Sequence, residues 1–184
     1  MEYRKNYIDI PAGFWAENAI RILAAKQITM GMDEGVYRPK AQITRAEFAA
    51  LLARTLQLTP SMIQTFEDVK AEAWYNGEVG AAFNAKLVSG RNSKRFAPDE
   101  PISRQEMAVM LLKAYRYAGG NQEIKSSKIY SDLARISNWA VESVAGVTEI
   151  GLFNGYTDGS FKPDAFASRA EAAQVVANLL KKLP

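Results

Sequence analysis

Ile43-Thr44-Arg45-Ala46-Glu47-Phe48 decides how this chain is read, because the pattern returns as Ile102-Ser103-Arg104-Gln105-Glu106-Met107 and as Ala167-Ser168-Arg169-Ala170-Glu171-Ala172. Each copy sits in a wider frame in which a Trp is followed 24 residues on by a Pro and 6 further on by the Arg. The three frames are Trp15/Pro39/Arg45, Trp74/Pro98/Arg104 and Trp139/Pro163/Arg169, and they use every Trp in the chain. A frame kept three times marks tandem repeats. The units cover residues 1–60, 61–124 and 125–184. At about 60 residues each is near the lower limit for folding alone, so the three are expected to fold as one cooperative unit.

Within a unit, an aromatic or apolar strip holds an Asp: Tyr7-Ile8-Asp9-Ile10, Phe66-Glu67-Asp68-Val69 and Tyr130-Ser131-Asp132-Leu133. Apolar positions at helical spacing then predict helices over about Trp15–Lys26, Trp74–Lys86 and Trp139–Ile150. Each Trp stands about 100° from the centre of the apolar stripe, on its rim. Gly31, Gly90 and Gly155 recur in register and are expected to end these helices through a turn with positive φ. A loop follows, Asp33-Glu34-Gly35-Val36-Tyr37-Arg38-Pro39 in the first unit and Asp158-Gly159-Ser160-Phe161-Lys162-Pro163 in the third. Its Gly makes the turn, its aromatic reaches the core and its Pro stiffens the exit. The second unit lacks Asp-Gly there and reads Ser93-Lys94-Arg95-Phe96-Ala97-Pro98. Each six-residue motif opens a second helix, ending near Thr55, Tyr115 and Leu180, with Thr44, Ser103 or Ser168 as N-cap and Glu47, Glu106 or Glu171 at N3. Linkers at Gln57–Thr65 and Gly119–Lys128 separate the units.

Composition narrows the chemistry. The chain has no His and no Cys, which removes Ser-His-Asp catalysis, His-based zinc sites, disulfides and thiol chemistry; neither metal nor cofactor is expected. No apolar run approaches 18 residues, so no membrane insertion is expected, and an export signal would lie outside this chain. A net charge of +3, without a basic stripe, argues against nucleic acid.

The repeated side chains carry the candidate chemistry. The three Glu could be a hydrolase's carboxylates, but the capping box accounts for them. Arg45, Arg104 and Arg169 sit at N1, where the helix dipole disfavours a cation. Two readings stand: an anion site made of the guanidinium and a free helix N-terminus, or a salt bridge to the early Asp of the same or a neighbouring unit. Trp15, Trp74 and Trp139 are either core anchors or flat platforms for a sugar ring. Trp, Arg and a Gly-lined turn together suit an acidic saccharide.

These motifs resemble the S-layer homology domain family, which has three tandem units, each with a Thr-Arg-Ala-Glu motif after a Gly-x-x-Asp-Gly-x-Phe-x-Pro loop. The motif stands here as Thr44-Arg45-Ala46-Glu47, Ser103-Arg104-Gln105-Glu106 and Ser168-Arg169-Ala170-Glu171, and the loop as Gly31–Pro39, Gly90–Pro98 and Gly155–Pro163. The resemblance covers almost the whole chain. It implies an all-α fold of three helix-loop-helix repeats in a pseudo-threefold, trimer-like monomer: motif helices at the centre, first helices around them, grooves between lobes. It further implies a non-catalytic module at the cell surface of a Gram-positive bacterium. Its grooves would bind secondary cell wall polysaccharide through a terminal pyruvylated N-acetylmannosamine. Carried over by position, Arg45, Arg104 and Arg169 would meet the ligand carboxylate, with Trp15, Trp74, Trp139, Gly31, Gly90 and Gly155 holding the ring. Asp9, Asp68 and Asp132 would orient the Arg or accept sugar hydroxyls. Arg91, Lys94 and Arg95 would give the second groove extra attraction for a polyanion. Replacing a motif Arg is expected to remove affinity and leave the fold intact. The rival readings are a helical scaffold for protein partners or self-assembly and, behind it, a glycan hydrolase.

Overall fold

The computed structural model describes residues 7–32, 35–125 and 130–183. The charged start of the chain, Asp33 and Glu34 of the first loop, and residues 126–129 of the second linker lie outside these. Among the described residues are six α-helices: α1 Glu17–Ala25, α2 Arg45–Thr55, α3 Asn76–Asn84, α4 Arg104–Tyr117, α5 Val141–Glu149 and α6 Arg169–Leu180, with one 3₁₀ turn at Leu133–Arg135. The expected all-α repeat architecture is what forms.

The motif helices α2, α4 and α6 touch one another around a central axis. The residues just before their N-caps close a cyclic set of backbone bonds: Ile43 N–H donates to Ala167 O, Ala167 N–H to Ile102 O, and Ile102 N–H to Ile43 O, each at 3.0 Å. Because neighbours enclose them on several sides, these helices bury more than a stripe. In α2 the residues Arg45, Ala46, Phe48, Ala49, Ala50, Leu51, Leu52, Ala53 and Thr55 are all buried, and the many Ala let the helices approach closely. The outer helices bury a single stripe, Ala19, Ile20, Leu23 and Ala24 in α1.

Among the described residues, the close helix pairings are not made within a unit. Instead α3 rests on α2, α5 on α4 and α1 on α6. The sequence repeat and the packing unit are therefore out of phase by one helix, and the contact between α1 and α6 closes the ring.

The turn glycines do not end the first helices. Those helices stop six residues before Gly31, Gly90 and Gly155, at Ala25, Asn84 and Glu149. The left-handed residues at their C-termini are Gln27 (φ 57°), Lys86 (φ 60°) and Gly151 (φ 78°). In the first unit Gln27 N–H bonds Ala24 O and Ile28 N–H bonds Leu23 O, the Schellman arrangement, and the buried Ile28 and Leu23 supply its hydrophobic contact. Nor does the Trp begin the helix; it precedes the first helical residue by two positions in each unit.

All three motif helices carry the expected capping box, with the N-cap hydroxyl on the N3 amide and the N3 Glu on the N-cap amide. The loop aromatics Tyr37, Phe96 and Phe161 are fully buried, each worth about 1.5–3 kcal/mol against exposure.

Candidate functional site

Asp9, Asp68 and Asp132 make no salt bridge to the motif Arg residues; they clamp the loops whose aromatic carbonyls those Arg meet. Asp9 accepts the amides of Tyr37 and Arg38 at 2.8 and 2.6 Å, Asp68 those of Phe96 and Ala97 at 2.8 and 2.7 Å, and Asp132 those of Phe161 and Lys162, both at 2.8 Å. The second residue of each pair takes a left-handed backbone directly before proline: Arg38 at φ 59°, Ala97 at 62°, Lys162 at 55°. That conformation costs about 1–3 kcal/mol, and two charge-assisted hydrogen bonds to one carboxylate offset it.

The clamped loop in turn satisfies a neighbouring helix. Pro98 O and Glu100 O accept the amides of Ala46 and Arg45; Pro163 O and Ala165 O accept those of Gln105 and Arg104; Pro39 O and Ala41 O accept those of Ala170 and Arg169. The N1 and N2 amides are thus filled by the next loop, and the N3 and N-cap amides by the capping box. The helix N-termini are not free donors for an anion, contrary to the sequence expectation.

The guanidinium groups run from one unit to the next. Arg45 Nη1 bonds Glu106 Oε1 at 2.9 Å, Arg104 Nη1 bonds Glu171 Oε1 at 2.5 Å, and Arg169 Nη1 bonds Glu47 Oε1 at 2.8 Å. Each Nε donates to the carbonyl of a loop aromatic, Phe96, Phe161 or Tyr37, and the planar group lies over that ring at 5.0, 5.0 or 4.9 Å. Nη2 of Arg45 and of Arg104 reach Ser89 O and Asn154 O beside the turn Gly. These side chains are 2–7% exposed, so they form a floor. Burial, before any other influence, lowers the Arg45 guanidinium from its ordinary pKa, and Glu106 opposes it. The partner residues are the motif Glu, whose Oε1 takes the Arg while Oε2 caps its own helix. Arg and Glu two positions apart cannot meet on one helix, so their threefold recurrence was the sequence signal for pairing between units.

Two clefts each draw on all three units. A cleft of about 470 Å³ is lined by Met30, Gly31, Met32 and Glu47 of the first unit, Arg169 of the third, and Arg54 and Trp74 of the first and second. A smaller one, about 290 Å³, combines Asn154, Gly155, Tyr156 and Glu171 of the third unit with Arg104 of the second and Trp15 of the first. Trp74 and Trp15 stand ahead of α3 and α1, which pack on the helices bearing Glu47 and Glu171. Trp139, ahead of α5 on α4, holds the same place relative to Glu106, Gly90 and Arg45. All three Trp are 59% exposed, well beyond what a core anchor shows. Arg54 is a lining residue the motif search missed; its guanidinium lies 5.6 Å from the Trp74 ring and is tied to Glu78 at 2.6 Å.

The turn glycines are held by close approach. A Cβ on Gly31 would stand 2.6 Å from the Tyr7 ring and 2.8 Å from Val36 O, and Gly31 alone of the three has positive φ, 75°. On Gly90 it would meet Asn92 O, Arg95 O and the Phe66 ring; on Gly155, Ser160 O and the Tyr130 ring.

Three units, a clamped loop, a cyclic Arg–Glu floor and an exposed Trp at each groove are thus kept together, and the chain matches the S-layer homology domain over residues 9–49, 65–108 and 129–173. It belongs to the S-layer homology domain family. This S-layer homology chain is 35% identical over 183 residues to an amylopullulanase of Thermoanaerobacterium thermosulfurigenes, covering 98% of the chain and 10% of that protein. It is 33% identical over 181 residues to S-layer protein EA1 of Bacillus anthracis, 97% of the chain and 20% of that protein. It is 31% identical over 179 residues to an endoglucanase of Bacillus sp. (strain KSM-635), 96% of the chain and 19% of that protein. The chain therefore spans between a tenth and a fifth of the length of these relatives.

Proposed function

We propose that this chain is a non-catalytic anchoring module of a Gram-positive cell surface, binding secondary cell wall polysaccharide by its pyruvylated N-acetylmannosamine terminus in the inter-unit grooves. The observation that carries this reading is the first groove, a saccharide-sized cleft with an exposed indole on one side, a backbone-lined Gly turn on the other and a guanidinium at its floor. The ring would stack on Trp74. The acid group would meet the edge of Arg169, with the Gly31 turn holding the sugar's substituents.

The relatives support the anchoring role. Proteins named for different activities, an amylopullulanase and an endoglucanase, and a protein named for the S-layer each match this chain over no more than a fifth of their length. What they have in common is better explained by location than by catalysis. The motif Glu support this too: both oxygens of Glu47, Glu106 and Glu171 are already engaged, which leaves a poor acid or base.

The test is calorimetric titration with purified secondary cell wall polysaccharide, native beside chemically depyruvylated. Native material is expected to bind, and loss of the carboxylate to weaken binding by about 1.5–3 kcal/mol, roughly 10- to 150-fold. Equal affinity for both would rule out the carboxylate; no affinity for either would rule out this glycan.

A further inference from the structure

The three grooves share one floor and differ in the residue that follows the turn Gly: Met32, Arg91 and Tyr156. In the first groove Met32 offers a thioether, which cannot pair with the charges beneath it, and the cleft is the wider of the two described above. In the third, the Tyr156 hydroxyl bonds Glu171 Oε1 at 3.1 Å and its ring lies 4.5 Å from the Arg104 guanidinium, narrowing the cleft. In the second, Arg91 Nη1 reaches Glu106 Oε1, the atom that Arg45 also holds, while Arg91 Nη2 reaches Glu100 Oε2 at 3.3 Å. Glu100 is held from its other oxygen by Arg95 at 2.5 Å, and Arg95 stands 3.8 Å from Asp68. Lys94 is paired with Glu67 at 3.0 Å.

We infer that the residue after the turn Gly selects which groove takes the acidic ligand, and that Arg91 closes the second groove to it. This rests on the binding reading above. The cations of the second unit, expected from sequence to attract a polyanion, are instead spent on its own carboxylates. Arg45, Arg91 and Arg95 face Glu106, Glu100 and Asp68, three against three, so no surplus charge remains at the mouth. An incoming carboxylate must displace Arg91 from both Glu106 and Glu100, breaking two ion pairs to form one, while Arg45 stays on Glu106. In the first groove no such exchange is needed. The resulting order of affinity is first, then third, then second.

Because each groove has one Trp, the grooves can be read separately. The chain is labelled with 5-fluorotryptophan, its three ¹⁹F resonances are assigned by single Trp→Phe replacements, and native pyruvylated secondary cell wall polysaccharide fragments are titrated in. In the parent, Trp74 should respond and Trp139 should require at least about tenfold more ligand, the equivalent of 1.4 kcal/mol. In Arg91→Met, Trp139 should move toward the midpoint of Trp74. The reciprocal Met32→Arg should weaken the Trp74 response, so a folding defect in one variant leaves the other to decide. Trp139 responding alongside Trp74 in the parent, or staying unresponsive in Arg91→Met while Trp74 responds, would overturn the inference. If all three Trp ignore the ligand in both proteins, the binding reading itself fails and the inference with it.

Discussion

Arg45 holds Glu106 across a unit boundary, 61 positions away in the chain, and does so at an oxygen that Arg91 also reaches. The corresponding partner of Arg104, Glu171, has instead the Tyr156 hydroxyl as its second contact. Removing the cation therefore has different consequences in the two grooves. Arg104→Ala strands a carboxylate that is 20% exposed and should cost about 3–5 kcal/mol in urea unfolding. Arg45→Ala leaves Glu106 with Arg91 and should cost less by at least about 1 kcal/mol. Because each motif Arg is paired with a Glu of another unit, its removal is expected to lower stability as well as affinity.

The loop clamp gives a local prediction. Asp132→Ala removes both acceptors of the Phe161 and Lys162 amides and releases the loop whose carbonyls cap α4. Stability should fall by about 3 kcal/mol. Amide exchange should quicken at Phe161 and Lys162 and also at Arg104 and Gln105, which are bonded to Ala165 O and Pro163 O. Unchanged exchange at 104 and 105 would break the link between clamp and cap.

Glycines separate by the reason they are needed. At Gly155 a Cβ meets Ser160 O and the Tyr130 ring, so Gly155→Ala should destabilise by about 1–3 kcal/mol through overpacking, together with a change in its groove. Gly13, at φ 81° with open space around it, should lose only the left-handed backbone preference, about 1–2 kcal/mol, on substitution by Ala. Thermal melts of the two variants measure the difference, and binding should distinguish them further.

Packing out of phase with the repeat should make unfolding a single event. Ile20 is fully buried on α1, which rests on α6, the last helix of the chain. Ile20→Ala should cost about 2–5 kcal/mol, and the loss should appear in the whole transition, with Trp fluorescence and far-UV circular dichroism still coincident. A separate early transition for the first unit would show that the ring does not unfold as one.

Much of this was legible in the sequence because repetition turned weak local signals into a pattern. The six helices, the capping boxes at Thr44, Ser103 and Ser168, and the burial of Tyr37, Phe96 and Phe161 followed from residue type and spacing. Of the three turn Gly, Gly31 has the expected positive φ, whereas Gly90 and Gly155 are needed for close approach alone; a left-handed backbone and a close contact leave the same letter. Partnerships between units were harder to read. Asp9, Asp68 and Asp132 pair with amides 28 to 30 positions on, which no side-chain pattern records. The assignment of Trp74 to the groove of Gly31 and Arg169 depends on how three units close into a ring, which periodicity along a chain does not encode.

The most direct test of the central claim is an amide and indole chemical-shift map of the chain with native pyruvylated polysaccharide, repeated with depyruvylated material. Shifts are expected to gather at Met30, Gly31, Met32, Arg54 and the Trp74 indole N–H, and to be much smaller at the same ligand concentration when the carboxylate is removed. Shifts gathered away from the inter-unit grooves, or the same map with both glycans, would contradict it.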